Sequence, residues 1–205
     1  MSFYERQVLP RLLNRVCGAT GVEPLRRRAC ADLTGQVVEI GFGSGHNVPF
    51  YPAGVTEVSA VEPAELSWRL AARRLATARV PVRRSGLDGQ SLPFADDSHD
   101  AALSTWTLCT IPDVAAALRE VRRVLRPGGT LHFLEHGLAP DEEVRRWQRR
   151  LDPLEKRLVG GCTFTRPIAD LLTAAGFTIR QLEVFYQEGS PRFSGAASLG
   201  VAVSA

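Results

Sequence analysis

One stretch decides the fold of this chain: Val37-Val38-Glu39-Ile40-Gly41-Phe42-Gly43-Ser44-Gly45-His46-Asn47. It begins with a β-branched, apolar run that is typical of a buried strand, and glycines at alternate positions follow before a predicted helix start. Glycine lets the backbone turn tightly and approach a ligand to van der Waals distance, because no Cβ intervenes. The first N–H groups of a helix carry partial positive charge. The stretch therefore predicts a site for a nucleotide-type ligand that carries a carboxylate, phosphate or ribose.

The spacing of the glycines separates two kinds of nucleotide site. A dinucleotide site has the pattern G-x-G-x-x-G, with a pyrophosphate at the helix N-terminus. Here the pattern is G-x-G-x-G, and His46 stands where the third dinucleotide glycine would fall. This spacing disfavours an NAD-dependent oxidoreductase, which stays open as an alternative. A tight strand-to-helix turn without any ligand is the other alternative.

Length and composition are those of a globular protein. The chain has 205 residues, of which 44% are hydrophobic and 23% charged, so we expect a single domain over residues 1–205. No apolar run approaches the length of a transmembrane helix, and the N-terminus lacks an apolar signal core. The four cysteines are far apart and form no C-x-x-C motif, so we expect no metal site and reduced thiols in the cytoplasm.

Arginine supplies almost all of the basic charge. The formal net charge is +3, and Lys156 is the only lysine. The densest clusters are Arg26–Arg28 and Arg145-Arg146 with Arg149-Arg150. Such clusters can bind nucleic acid or a lipid surface, but acidic residues such as Glu142 near the second cluster favour solvated helix faces. We therefore expect no nucleic-acid partner.

The order of the predicted elements indicates a doubly wound α/β fold. Residues up to about Leu33 are predicted to be helical, and a segment before the first strand often packs across the ligand crevice as a lid, with Tyr4 as a candidate contact. Further helices are predicted at 64–78, 114–125, 141–158 and 167–175. Besides the strand before Gly41, strands are predicted at 57–61, 80–84, 101–104, 130–135, 177–186 and 196–202.

The C-terminal part of the chain predicts a change in strand direction. The last two predicted strands have no helix between them, so we expect an antiparallel hairpin that closes a mostly parallel seven-stranded sheet with helices on both faces. Within the single domain, we assign residues 1–34 to the helical lid, 35–137 to the cofactor-binding core, and 138–205 to substrate-side helices and the hairpin.

Two acidic residues at predicted strand ends complement the glycines. Glu62 follows the second strand, where Pro63 fixes the turn, and its distance from the glycines suits a carboxylate that accepts hydrogen bonds from both ribose hydroxyls. Asp88 follows the third strand and can accept the amino group of an adenine ring, while the backbone of Gly89 and Gln90 lets the ring lie close. The structural alternatives are an exposed carboxylate at a strand end and an ordinary Asp-Gly turn.

Three motifs together resemble one enzyme family. They are E-x-G-x-G-x-G from Glu39 to Gly45, Leu92-Pro93-Phe94-Ala95-Asp96-Asp97-Ser98-His99-Asp100, and Arg123-Val124-Leu125-Arg126-Pro127-Gly128-Gly129. This set resembles the class I S-adenosylmethionine-dependent methyltransferases, with His99 standing where the family pattern has an aromatic residue. The resemblance implies a Rossmann-like methyltransferase fold, S-adenosyl-L-methionine as cofactor and S-adenosyl-L-homocysteine as product. The implied cofactor contacts are Tyr4, Glu39, Gly41, Gly43, Gly45, Asn47, Glu62, Pro63, Asp88, Gly89, Gln90, Thr105 and Trp106.

Local sequences narrow the resemblance to the methyltransferase-like family whose animal members methylate alkyl thiols and sulfide. They are Phe50-Tyr51-Pro52-Ala53-Gly54, Leu108-Cys109, Glu135-His136 and Gly161-Cys162-Thr163-Phe164-Thr165-Arg166. The resemblance implies methyl transfer to a small molecule, with a thiol as the first candidate and a quinone, phenol or lipid-like acceptor as the second. Those relatives begin with a membrane-binding hydrophobic segment, and from the residues of this sequence we expect no such segment. A ligand-binding module without catalysis is a further alternative.

The acceptor end of the predicted site is centred on His136. A free thiol has a pKa near ~8.5 and is mostly protonated at neutral pH, so a nearby base would help, and His136 is the candidate. A histidine that bonds to a neighbouring helix end is the structural alternative. Glu135 is not expected to pair with His136, because adjacent strand residues point to opposite faces. Cys109 and Cys162 are expected to line a pocket, not to act as nucleophiles. The candidate substrate contacts are Cys109, Thr165 and Arg166.

Overall fold

The computed structural model describes residues 3–158 and 160–204. Its helices are α1 (Leu9–Val16), α2 (Glu23–Cys30), α3 (Glu65–Leu70), α4 (Ala72–Leu75), α5 (Val114–Val124), α6 (Glu142–Leu158), α7 (Ile168–Ala174) and α8 (Arg192–Gly195). Its strands are β1 (Gly35–Ile40), β2 (Val55–Val61), β3 (Val82–Gly86), β4 (His99–Thr105), β5 (Leu125–His136), β6 (Phe177–Tyr186) and β7 (Ala196–Ser204). A π-helical turn covers Tyr4–Val8, and 3-10 turns cover Thr20–Val22 and Val48–Phe50.

Within the described residues, the strands form one seven-stranded sheet in the order β3-β2-β1-β4-β5-β7-β6. Strands β1 to β5 run parallel, and β7 is antiparallel to both β5 and β6. This arrangement confirms the predicted parallel sheet with its C-terminal antiparallel hairpin. The short helix α8 lies in the loop between β6 and β7, where no helix was predicted.

Strand β1, which lies between β2 and β4, contributes to both hydrophobic layers. Successive strand residues point to opposite faces of a sheet. Val37 therefore packs on one face with Leu103 of β4, whereas Val38 and Ile40 pack on the other face with Leu118 of α5. All five side chains are completely buried. Burial on both faces explains why β1 is almost continuously apolar, as is typical of a parallel sheet.

The helix predicted directly after the glycines is wrong. Only the single 3-10 turn Val48–Phe50 follows them. Two prolines limit its length: Pro49 lies in the turn itself, and Pro52 drives Tyr51 to an extended conformation with φ −62° and ψ 124°. A macrodipole contribution from a long helix at this point is therefore absent, and any ligand must be bound by the turn and its neighbours.

Several other predicted boundaries move by a few residues. The helix predicted at 64–78 is divided into α3 and α4 around the fully buried Ala71. Strand β3 begins at Val82 instead of residue 80. Strand β5 begins at Leu125, because Leu125 already pairs with His99 before a register shift in the ladder.

The N-terminal segment is helical, as predicted. Pro24, which was expected to interrupt the helix, instead lies at the start of α2. Pro24 lies in the first turn of α2, where its missing N–H needs no partner. The buried residues Ala29, Cys30 and Leu33 follow on the face that contacts the sheet. In the part of the chain that the structure describes, no helix is both long enough and apolar enough to cross a membrane.

Candidate functional site

The carboxyl ends of four neighbouring strands meet at one edge of the sheet. Ile40 at the end of β1 is in register with Val61 of β2 and with Ser104 of β4, and Val61 is in register with Gly86 of β3. The segments that follow these strands carry the glycines, Glu62, Asp88 and Trp106. The order of the strands reverses at β1, and such a switch point is where open α/β sheets bind ligands.

The three glycines of the turn differ in what surrounds them. All three have positive φ angles: +68° at Gly41, +58° at Gly43 and +75° at Gly45. A Cβ on Gly41 would lie 2.0 Å from Oγ1 of Thr107, and a Cβ on Gly45 would lie 3.0 Å from the ring of Phe42. A Cβ on Gly43 would meet nothing nearer than 3.8 Å. Gly41 and Gly45 are therefore required by the protein's own packing, whereas Gly43 leaves open space beside the backbone.

Glu62 joins the end of β2 to the glycine turn. Its Oε2 atom accepts a hydrogen bond from the backbone N–H of Gly43 at 2.7 Å, and its Oε1 atom accepts one from Ala64 at 2.7 Å. Pro63 makes the turn that brings Ala64 back to the carboxylate. Burial raises the pKa of Glu62, although both backbone N–H groups oppose that shift. The predicted neighbourhood of Glu62 and the glycines is present in the structure.

Asp88 and Gln90 organise the loop after β3. Asp88 is exposed, and its Oδ1 atom accepts hydrogen bonds from the backbone N–H of Gln90 at 2.8 Å and from its side-chain amide at 3.1 Å. The Oε1 atom of Gln90 accepts the N–H of Asp113 at 2.8 Å, at the N-terminus of α5. A Cβ on Gly89 would lie 3.9 Å from Ile40, so this loop stands over the end of β1.

Glu39 lies beneath the glycine turn in a closed polar network. Its side chain is 1% exposed, and its two oxygens accept hydrogen bonds from Asn47 Nδ2 at 2.9 Å and from the Tyr51 hydroxyl. Burial raises the pKa of Glu39 to about 7, and the bonds from Tyr51 and Asn47 oppose the shift. Glu39 and Asn47 are thus occupied by the protein's own groups, so their predicted contact with a cofactor stays a prediction and their observed role is to position the turn.

Arg26 is a buried residue of this site that was not among the predicted contacts. It is 5% exposed, and Nη1 donates to Asn47 Oδ1 at 2.8 Å and to Thr105 Oγ1 at 3.2 Å, while Nη2 donates to the Cys17 carbonyl at 3.1 Å. Asn47 Nδ2 also donates to Thr105 Oγ1 at 2.9 Å. Assigning Arg26 to a solvated cluster was therefore wrong, whereas Arg27 and Arg28 are exposed.

A helical pattern could have revealed the burial of Arg26. Arg26, Ala29, Cys30 and Leu33 recur at the spacing of one helix face, and all four are buried. The cluster around Arg149 behaves as predicted, because Arg149 donates to Glu142 at 2.7 Å on an exposed surface. A run of arginines alone therefore does not distinguish the buried setting of Arg26 from the exposed setting of Arg149.

The N-terminal segment lies against the glycine turn and α6. A Cβ on Gly18 would lie 2.5 Å from the ring of His46, and Arg74 bridges the Ser44 carbonyl at 3.0 Å and Asn14 Oδ1 at 3.4 Å. The hydroxyl of Tyr4 donates to the carbonyl of Leu158 at 2.6 Å. These contacts agree with a lid over the crevice, but the hydroxyl of Tyr4 is bonded to α6.

Trp106 and His136 lie next to each other at the ends of β4 and β5. Their ring centroids are 5.9 Å apart, and His136 makes an edge contact with Phe164 at 5.7 Å. The Nε1 atom of Trp106 and the Nδ1 atom of His136 are buried and have no hydrogen-bond partner among the described residues. Trp106 has a φ of +51°, which is rare outside glycine and marks functional sites when the surroundings hold it. Arg26 stacks over its ring at 4.6 Å.

The environment of His136 alters the role expected of it. Burial lowers its pKa to about 4, and the nearby Ala196 carbonyl opposes this only in part. The imidazole is therefore neutral at pH 7 and a much weaker base than a free histidine. It remains able to accept a hydrogen bond at an unprotonated nitrogen.

Glu135 faces away from His136, as predicted, and supports the loop after β4. Its carboxylate accepts the Ser104 hydroxyl at 2.6 Å and the backbone N–H of Thr107 at 2.9 Å. Burial raises its pKa to about 7, against the bonds from Ser104 and from the N–H groups of that loop. Glu135 therefore fixes the backbone on which Trp106 is presented.

The expected substrate contacts of Arg166 and Thr165 stay predictions. The guanidinium of Arg166 donates to the carbonyls of Leu108 and, at 2.6 Å, Ile111. The hydroxyl of Thr165 donates to Asp152 Oδ2 at 2.6 Å. The observed role of these polar groups is to brace two loops. Cys109 is 1% exposed and packs with Phe164 beside His136.

Comparison with known proteins assigns this site to a family. Residues 38–133 match the family model described as a methyltransferase domain, and this match contains the glycine turn, Glu62, Asp88 and Trp106. Over these residues the chain is similar to the methyltransferase-domain family, and its fold is that of the class I methyltransferases. The strand order, the switch point and the antiparallel hairpin all agree with that fold.

Proteins similar to this chain include thiol S-methyltransferases. Thiol S-methyltransferase TMT1B of Rattus norvegicus is 34% identical over 151 residues, and TMT1B of Homo sapiens is 35% identical over 153 residues. In each case the aligned part covers 72% of this chain and 62% of the relative. The chain thus spans less than two thirds of the length of these relatives.

Solved structures show the same methyltransferase fold. A Thermotoga maritima enzyme described as a possible histamine N-methyltransferase has a TM-score of 0.68 at 24% identity and covers 98% of this chain and 97% of its own. A putative methyltransferase of Bacillus halodurans has a TM-score of 0.69 at 18% identity, covering 90% of this chain and 96% of its own. At such identities the likeness concerns the fold alone.

The residues at this sheet edge fit the cofactor that a methyltransferase domain implies. S-adenosylmethionine needs a close backbone approach, ribose and adenine acceptors, and a space beside its methyl group. Gly43 offers the open backbone, Glu62 and the exposed Asp88 offer carboxylates, and the unpaired Trp106 and His136 nitrogens stand at the neighbouring strand ends.

Proposed function

We propose that this protein is an S-adenosylmethionine-dependent methyltransferase whose acceptor is a small thiol. The observation that carries the proposal is the meeting of the glycine turn, Glu62 and Asp88 at one sheet edge, next to the Trp106–His136 pair. The thiol relatives support the choice of acceptor. The family match supports the choice of cofactor.

In this proposal, three segments of the chain contact three different parts of the cofactor. The backbone at Gly43 contacts the methionine part, Glu62 accepts hydrogen bonds from the ribose, and Asp88 accepts the adenine amino group. Glu62 now accepts from Gly43 and Ala64, and each carboxylate oxygen can take a second bond. Gly41, Gly45, Pro63, Gly89 and Gln90 shape these segments, and Glu39, Asn47 and Thr105 support the turn from below. Residues 1–34 form the lid over the crevice.

The acceptor group lies between the cofactor and the Trp106–His136 pair. When bound, S-adenosylmethionine supplies a methyl group on a positively charged sulfur, which an acceptor atom displaces in line. Neutral His136 accepts the hydrogen of the bound, protonated acceptor, and the indole N–H of Trp106 donates to the acceptor heteroatom, including the thiolate that remains once the proton has left. The rings of Trp106, His136 and Phe164 exclude water and hold the acceptor in the attacking geometry.

His136 acts as a positioning group for the proton and not as a strong base. A group with a pKa of about 4 cannot hold the proton of a thiol whose pKa is near ~8.5. It keeps the hydrogen bond directed while the proton passes to solvent. The rate therefore follows the ionised fraction of the thiol.

A phenol or quinol is the second candidate acceptor. Its hydroxyl would satisfy the same unpaired donor and acceptor nitrogens.

The cytoplasm is the proposed compartment, since the four cysteines are free thiols.

A panel of acceptors tests the proposal. Purified protein is incubated with S-adenosylmethionine and with thiols, phenols or quinols of matched size, and release of S-adenosylhomocysteine is measured. The expected result is turnover with thiols. For each thiol, the rate should rise as the pH is raised towards the pKa of that thiol. Turnover confined to phenols or quinols would replace the thiol assignment, and binding of S-adenosylmethionine without any turnover would indicate a ligand-binding module.

A further inference from the structure

Two buried thiols from distant parts of the chain face each other beside the proposed acceptor site. Cys109 lies in the loop after β4, and Cys162 lies in the loop between α6 and α7. Their Sγ atoms are 3.5 Å apart, and the side chains are 1% and 4% exposed. A disulfide has an S–S length of about 2.05 Å, so the two sulfurs need to approach by only about 1.5 Å.

The backbone already aligns the two loops. The N–H of Thr163 donates to the carbonyl of Cys109 at 2.9 Å. Arg166 adds hydrogen bonds to the carbonyls on both sides of Cys109, at Leu108 and Ile111. Little further ordering is therefore needed to bring the thiols together, and the remaining approach falls to the side chains and the Gly160-Gly161 end of the loop, where both glycines have positive φ.

From this geometry we infer that Cys109 and Cys162 form a reversible oxidation site that controls the acceptor end of the protein. With hydrogen peroxide, the sulfur of one thiol attacks an oxygen, the O–O bond breaks, and a sulfenic acid and one water form. The second thiol attacks the sulfenic sulfur, the S–S bond forms, and the second water leaves with both remaining protons. Two thiols are oxidised by two electrons and one peroxide is reduced to two waters.

The resting state of the site is the dithiol. The hydrogen bond with Cys162, followed by burial, raises the pKa of the Cys109 thiol, and a protonated thiol is a poor nucleophile. Oxidation is therefore slow compared with that of an exposed, acidic cysteine. This slowness suits a site that responds to sustained oxidant and not to brief exposure.

Phe164 connects the thiol pair to the acceptor end. It packs against both cysteines and makes the edge contact with His136 at 5.7 Å. Drawing Cys162 towards Cys109 moves the loop that carries Phe164 and so displaces the wall of the proposed acceptor site. Among the described residues, the glycine turn, Glu62 and Asp88 form no hydrogen bond with the loop that carries Cys162 and Phe164, so cofactor affinity should be retained.

Disulfide mapping tests the inference without any need for activity. The reduced full-length protein is treated with hydrogen peroxide, its remaining thiols are alkylated under denaturing conditions, and intact mass and non-reducing peptide maps are recorded. We expect the loss of two hydrogens, two protected thiols, a Cys109–Cys162 cross-linked peptide, and reversal by dithiothreitol. Cys30→Ser, which alters a buried thiol outside the pair, should cross-link like the wild type, and Cys109→Ser should not.

Two results would overturn the inference. One is oxidation that leaves both thiols free or joins Cys17 to Cys162, since Cys17 is close enough for Cys162 to raise its pKa. The other is a Cys109–Cys162 disulfide that leaves acceptor turnover unchanged, because we expect a fall of about tenfold or more from such a displacement, with cofactor affinity within about twofold. The turnover arm depends on the proposed function, whereas the map decides the oxidation site by itself.

Discussion

Nη1 of Arg26 donates to Oδ1 of Asn47 at 2.8 Å in a buried setting. This contact joins α2, which precedes the sheet, to the end of the glycine turn. Arg26 can only donate, so it faces the oxygen of the Asn47 amide, and the amide nitrogen is left to donate to Glu39. The lid segment and the cofactor turn therefore share one hydrogen-bond network, and a change in either is transmitted to the other.

Loss of Arg26 should loosen this network. We expect Arg26→Ala to lower the free energy of unfolding by roughly 2–3 kcal/mol, because buried acceptors on Asn47 and the Cys17 carbonyl lose a charged donor. It should also weaken cofactor binding. Arg27→Ala on the exposed side of the same helix is the matched control, with an expected change within about 0.5 kcal/mol. Equal denaturation midpoints for the two variants would contradict the role of Arg26.

The open space at Gly43 predicts a contrast between two glycine variants. Gly43→Ala should cost about 1–2 kcal/mol of stability, from positive φ alone, yet reduce cofactor affinity by roughly tenfold or more, because the new methyl occupies the ligand's space. Gly41→Ala should cost more stability, because its Cβ overlaps Thr107. Thermal unfolding and isothermal calorimetry on both variants check this. Unchanged affinity in Gly43→Ala would remove the turn from the site.

Glu39 should make stability depend on pH. Its folded-state pKa of about 7 lies above the ordinary 4.5, so its favourable contribution is complete below pH 4.5 and is lost as pH rises through 7. Relative to Glu39→Gln, the wild type should lose up to roughly 3 kcal/mol over that window. Other shifted groups, including Glu135 and His136, are present in both proteins and cancel in the difference. A difference that is flat with pH would contradict a protonated, buried Glu39.

Trp106 and His136 should affect the acceptor without affecting the cofactor. Trp106→Phe removes an N–H that has no partner, so stability should change little while the KM for the acceptor rises by roughly 2- to 10-fold. His136→Ala should lower kcat, again with unchanged cofactor affinity, and the wild-type rate should show no inflection near pH 6.5. Steady-state kinetics between pH 5 and pH 9 check both (roughly the range over which free histidines and thiols titrate). Full turnover by His136→Ala would exclude His136 from the site.

Local patterns predicted much of the fold. The bounds of β6, Phe177–Tyr186, agree with prediction because Gly176 ends the preceding helix and a clear alternating run follows. The meeting of Glu62 with the glycine turn was also predictable, since parallel strands place their carboxyl ends together.

Long-range partners account for what the sequence did not reveal. Arg166 resembled a candidate acceptor contact because its true partners, the carbonyls of Leu108 and Ile111, lie more than fifty residues away. Arg26 lies in a run of three arginines, which by itself predicts a solvent-exposed surface. Only the buried residues on the same face of α2 indicate that Arg26 is buried as well. The missing helix after Gly45 depended on two prolines whose combined effect outweighed the glycine pattern.

The most direct test of the central claim is calorimetric titration of S-adenosylhomocysteine into the wild type, Glu62→Ala and Asp88→Ala. We expect the wild type to bind, and each variant to lose about 1–3 kcal/mol of binding free energy, because each removes a carboxylate that accepts a hydrogen bond from the ligand. Asp113→Ala, which caps α5 and should not touch the ligand, is the control. Affinities that are equal in the wild type and both carboxylate variants would contradict the site at this edge of the sheet.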